Sequence, residues 1–112
     1  MITVLSVDQA NPYDIPGING ASLAVMAAGL PFEGPVGAVR LGYIGGQWKV
    51  NPTFQELELA TFDIVVAGKR GGGGGIDILM IEGEATDEAW KLVEEGAAPP
   101  TEELVAEGLD AA

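Results

Sequence analysis

The chain has 112 residues, enough for one domain or part of one, and 47% of them are apolar, enough for a packed core. Seventeen acidic residues against five basic ones give a net charge of −12, which repels polyanions and argues against a free-standing binder of nucleic acid or anionic membrane. Cysteine and histidine are absent, so disulfides, thiolate metal sites and imidazole bases are excluded; chemistry would rest on carboxylates, hydroxyls, two arginines and three lysines.

Ile2 to Val7 is rich in β-branched and aliphatic residues and predicts a buried strand ending at Asp8. No basic segment or small-residue cleavage site marks it as a targeting signal. Gln9 to Ile15, with Asn11-Pro12, reads as a loop. Ile15 to Phe32 carries no charge, but Pro16, Gly17, Asn19, Gly20, Ser22, Gly29 and Pro31 make it too broken and polar to span a membrane. A helix enclosed on most sides is expected from about Gly17 to Ala28, with Gly29 as its C-terminal cap. A cytoplasmic protein without a membrane partner is the expectation.

Val36 to Ile44 predicts a strand, and Gly45-Gly46 is a two-residue hairpin signal into Gln47 to Val50. Thr53 and Glu56 fit a capping box opening a short helix over Phe54 to Leu59. Phe62 to Ala67 and Ile76 to Ile81 read as a second hairpin around Gly68-Lys69-Arg70 and five consecutive glycines, Gly71 to Gly75. Thr86 predicts an N-cap for a helix with Ala89, Trp90 and Val93 on its apolar stripe, closed by Gly96. After Ala97-Ala98-Pro99-Pro100, Thr101 caps a last helix carrying Leu104, Val105 and Leu109. This order predicts an α+β fold with a mixed or antiparallel sheet packed with helices.

The glycine run near Lys69 and Arg70 lacks the Gly-Lys-Ser/Thr ending of a phosphate loop and precedes a strand, so it reads as a flexible hairpin loop. Glu82 and Glu84 would share one face of a strand end, with no third ligand adjacent. Asp8 and Asp14 are scattered, and Asp63 reads as a turn or capping residue before a buried strand. Arg40 inside an apolar strand calls for an acidic partner in the core or across an interface. Trp48, Phe54 and Phe62 read as core residues rather than base-stacking platforms, because no cluster of cations surrounds them.

Six segments in order carry a resemblance: Thr3 to Gln9, Ile18 to Ser22, Leu30 to Ile44, Asn51-Pro52-Thr53, Asp63 to Gly68 and Leu79 to Ala85. Together they are similar to the first ribonuclease-PH-like core domain of the polynucleotide phosphorylase family. The resemblance implies a ribonuclease-PH-like (ribosomal protein S5 domain 2-like) fold. Residues 1–85 would be the C-terminal portion of that core domain, and 86–112 a helical extension towards the inter-domain linker. The family degrades RNA from the 3′ end with phosphate, releasing nucleoside diphosphates, as a trimer whose subunits carry two core domains followed by KH and S1 domains. Its active second core domain places an Asp, a second Asp six positions on and a Lys two further ahead of a Val-Ala-Gly strand. Aligned on Val66-Ala67-Gly68, these positions are Leu57, Asp63 and Val65. The serine-rich phosphate loop has no counterpart, and the arginine-containing RNA loop of the first core domain would lie upstream of Thr3.

The reading is a non-catalytic structural piece of a phosphate-dependent 3′-to-5′ exoribonuclease, with no catalytic, RNA-binding or metal residue of its own. Magnesium would belong to the intact enzyme. Its partners would be the rest of the subunit and the homotrimer, with RNA met only through them. One alternative is a stand-alone acidic protein-interaction module without activity; another is a small carboxylate-dependent metalloenzyme. As a partial fold, the chain is expected to expose apolar surface.

Overall fold

A computed structural model describes residues 1–112. The elements in chain order are α1 (Asp14–Ala27), β1 (Val36–Ile44), β2 (Gln47–Val50), α2 (Phe54–Leu57), β3 (Ala60–Arg70), β4 (Ile76–Ala85), α3 (Ala89–Glu94) and α4 (Glu102–Ala111). The four strands form one sheet in the order β2-β1-β3-β4, with every neighbouring pair antiparallel. The expected α+β class therefore holds, and the sheet is antiparallel. No helix is long and apolar enough to cross a membrane.

Local chemistry explains most boundaries. Gly45 and Gly46 both adopt positive φ, 57° and 83°, which a tight turn matching the strands' right-handed twist requires. Thr53 and Glu56 form the reciprocal capping box of α2. Helices α1 and α3 end in the same motif: Leu30 N–H bonds Val25 at 3.4 Å beside Gly29, and Ala97 N–H bonds Leu92 at 2.9 Å beside Gly96. Thr101 accepts the Leu104 N–H at 3.3 Å and caps α4.

Strand β2 pairs only with Leu41 to Ile44, so the first half of β1 has a bare edge. Polar side chains complete it. The Asn19 carboxamide bonds both backbone groups of Ala38, at 2.7 and 3.2 Å, and Ser22 Oγ accepts the Val36 N–H at 2.9 Å. Asn51 accepts the Arg40 N–H at 3.1 Å and returns its own N–H to the Arg40 carbonyl at 2.7 Å. Side chains from α1 thus stand in for a missing strand and seat the helix along β1.

The two sheet faces differ. On one, Leu41, Ile64 and Val66 form the core, with Val39, Trp48, Phe62 and the α4 residues Val105 and Leu109 packed against it. On the other lie Arg40, Asp63, Val65 and Ala67, with α1. Both C-terminal helices pack on the sheet, α3 through the buried Ala89 beside β3 and α4 through the core. Only 14 of 112 residues are buried, and the Cα radius of gyration of 15.7 Å exceeds the roughly 13 Å of a compact chain this long, so the sheet is only partly covered.

Four expectations are corrected. Ile2 to Val7 forms no strand: it pairs with neither sheet edge, and Ile2 instead lies within 4.0 Å of the Cβ position of Gly17 on α1. Its β-branched content favours extended backbone, but a strand also needs a partner. Helix α1 begins at Asp14 and is largely exposed, with only Ile15 and Ser22 buried, because one face alone meets the sheet. Thr86 does not cap α3; its hydroxyl donates to the Ala60 carbonyl, and the helix begins later at Ala89. Phe54 is 42% exposed and Trp90 73% exposed, so neither is a core residue.

Gly108 sits at the closest approach of α4 to the sheet. A Cβ there would fall 2.5 Å from the Trp48 ring, which itself meets Phe62 edge-on at 6.5 Å. Replacing a helical glycine by alanine ordinarily stabilises by about 0.5–1 kcal/mol. Here the overlap reverses the sign. Gly108→Ala is expected to lose about 1–3 kcal/mol, measured by urea denaturation followed through Trp fluorescence.

Candidate functional site

Arg40, in the middle of the interior strand β1, builds the one concentrated polar site. Arg40 on β1 donates through Nη1 to Asp63 on β3 and through Nη2 to Asp14 in the first turn of α1. Antiparallel register brings these groups together. Arg40 stands directly across from Val65 and Gly42 across from Asp63, so all four positions share the α1 face of the sheet. One strand further out, Glu82 lies opposite Val65 and Glu84 opposite Asp63. Asp14, Arg40, Asp63, Val65, Glu82 and Glu84 line a cleft of about 120 Å³.

Burial and charge act against each other here. Burial disfavours the charged guanidinium, but the Asp14 hydrogen bond and the charges of Asp63 and Asp14 outweigh it, leaving the Arg40 pKa raised. Burial also pushes the Asp63 carboxyl above its ordinary 3.8; Arg40 opposes the shift, while Glu84 and Asp14 add to it. The pairing thus favours the charged guanidinium, while for Asp63 it offsets burial only in part. Asp63 Oδ1 and Arg40 Nε are both buried without a partner.

Asp63 lies inside β3, which corrects its reading as a turn or capping residue: the strand starts at Ala60, not Phe62. Arg40 has the acidic partners its setting called for. Asp14, 26 residues away, is the second partner, and no sequence signal points to it, because Gln9 to Ile15 reads as a loop while the helix in fact starts at Asp14. Leu57 ends α2, and its Cδ2 lies 3.4 Å from the Cβ position of Gly42, the cross-strand partner of Asp63. Asp63 and Val65 line the same cleft, while Leu57 packs beside Gly42 and is not among its lining residues.

Chemically this arrangement offers little. The Arg40 head group is committed to two carboxylates and has no free fork for a phosphate. No three acidic side chains converge as a metal site, and Leu57 and Val65 offer no oxygen, so these residues do not fit a magnesium ion. Glu82 and Glu84 are exposed. The glycine run turns β3 into β4, with Gly71 N–H bonding the Gly75 carbonyl at 2.8 Å. Nearby Lys69 pairs with Glu33 at 3.6 Å. Separately, Asp8 accepts the Ala10 and Asn11 N–H groups at 2.9 Å each, and these bonds, Asn11's first, hold its carboxyl below the ordinary value.

The two aspartates carry opposite linkage. A raised folded pKa means that folded Asp63 holds its proton more tightly than the unfolded chain, so its unfavourable contribution near neutrality eases as pH falls. The lowered Asp8 contributes stability that is lost as pH falls through its folded value. A carboxyl-resolved NMR titration is expected to place Asp63 above 3.8 and Asp8 below it. Arg40→Ala is expected to cost about 3 kcal/mol at pH 7 in urea denaturation, and less as pH falls, because a buried Asp63 without its cation takes up a proton more readily.

With this geometry in hand, relatives are informative. The profile of the family described as "3′ exoribonuclease family, domain 2" matches residues 34–112. The polyribonucleotide nucleotidyltransferase of Acidothermus cellulolyticus is 53% identical over 112 residues, the whole of this chain and 14% of that protein. That of Salinispora arenicola is 53% identical over 110 residues, covering 98% of this chain and 14% of its own. That of Streptomyces coelicolor is 53% identical over 110 residues, 98% of this chain and 15% of its own. The chain thus spans 14–15% of the length of these relatives. With one family profile matched over most of its length and half its residues shared with such enzymes, the chain belongs to the 3′ exoribonuclease family.

Proposed function

We propose that this chain is a structural, non-catalytic part of a phosphate-dependent 3′-to-5′ exoribonuclease that converts RNA and phosphate to nucleoside diphosphates. One observation carries the reading: around Asp63, where the active core domain would hold two carboxylates and a lysine, this chain holds Leu57 and Val65, while Arg40 is tied to Asp14 and Asp63. A carboxylate already paired with a guanidinium, with no lysine at the position of Val65, neither binds magnesium well nor leaves a cation for the attacking phosphate.

Within such an enzyme the chain would belong to the first core domain. The remainder of the subunit and its homotrimer would be its partners, and the setting would be the cytoplasm. Catalytic magnesium would sit in the second core domain, and RNA would be reached only through the assembled enzyme, in keeping with the net charge of −12 here. The role left to this chain is to present a rigid sheet and helices for assembly. The partly covered sheet and the exposed Leu5, Leu23, Leu79 and Ile81 suit that role.

Incubating the chain with RNA, phosphate and magnesium is expected to release no nucleoside diphosphate, while an intact polyribonucleotide nucleotidyltransferase in the same buffer does. Release by the chain alone, abolished by Asp63→Asn, would overturn the proposal.

A further inference from the structure

Strand β4 ends the sheet, and all ten of its residues are exposed. Its register with β3 assigns each side chain to a face. Ile76, Ile78 and Ile81 stand opposite Arg70, Gly68 and Val66 and continue the apolar face on which α4 packs. They are 69%, 45% and 51% exposed. Asp77, Met80, Glu82 and Glu84 stand opposite Lys69, Ala67, Val65 and Asp63 and continue the opposite face, with a register shift at Leu79. The strand therefore has one apolar side and one side that carries three carboxylates and Met80, and its outer backbone groups are free to pair.

We propose that the free edge of β4 is a docking edge for an extended protein segment that alternates apolar and cationic residues. Main-chain hydrogen bonds would add this segment as a fifth strand. Its apolar side chains would cover Ile78 and Ile81, and its Lys or Arg side chains would meet Glu82 and Glu84 across the new pair. Beside Glu84, the unpartnered Asp63 Oδ1 deepens the negative field on that side.

Charge selects this occupant over two others. A second copy pairing antiparallel about Met80 and Ile81 would set Asp77 beside Glu84 twice, between molecules each carrying −12. The chain's own unpaired segment, Ile2 to Val7, has the right apolar content but no cationic side chain to offer.

The test uses the 112-residue chain and two synthetic peptides of about ten residues, one alternating Val with Lys and one alternating Val with Glu. The Lys peptide is expected to bind at least about tenfold more tightly, to weaken with added salt, and to slow hydrogen exchange at the β4 amides that do not bond β3. Glu82→Lys combined with Glu84→Lys is expected to reverse the preference. Equal binding of both peptides, protection away from β4, or β4 amides already protected in a dimer of the chain alone would each overturn the proposal. Should the double variant not fold, the two peptides compared on the unchanged chain still decide it.

Discussion

A guanidinium held between two carboxylates organises this chain. Arg40 ties β1 to β3 through Asp63 and the sheet to α1 through Asp14, so one head group joins three elements that are distant in sequence. Helix α1 depends on that tie. It buries only Ile15 and Ser22, and its other anchors are the hydrogen bonds of Asn19 and Ser22 to the bare edge of β1. A charged cluster on one face also confines the apolar core to the other, where α4 closes over Leu41, Ile64 and Val66.

The same cluster links structure to function. Family members that perform phosphorolysis need carboxylates free to hold a metal and cations free to meet phosphate. In this chain the arginine beside Asp63 is paired within the fold, and Leu57 and Val65 add no charge. Burial holds the Asp63 carboxyl above its ordinary pKa even so.

Where local chemistry alone decides structure, the sequence was legible. Strands β1 and β2 match their expected limits because Gly45-Gly46 dictates the turn and therefore the register. The α2 capping box and the glycine ends of α1 and α3 are likewise short-range devices. Legibility ended where distant partners decide. Ile2 to Val7 has a strand's composition but no neighbour to pair with, and Thr86, whose hydroxyl donates to the Ala60 carbonyl, lies ahead of a helix that starts only at Ala89. At the polar site, an arginine in an apolar strand announced that acids must be near. Which acids depended on antiparallel register for Asp63 and on helix placement for Asp14, neither of which residue spacing encodes.

A double-mutant cycle across Arg40→Met and Asp63→Asn, followed by urea denaturation at pH 7, addresses the organising interaction most directly. If the guanidinium is committed inside the sheet, the two changes should couple by about 1.5 kcal/mol or more. Additivity within about 0.4 kcal/mol would mean that Arg40 is free of Asp63 and would contradict the account.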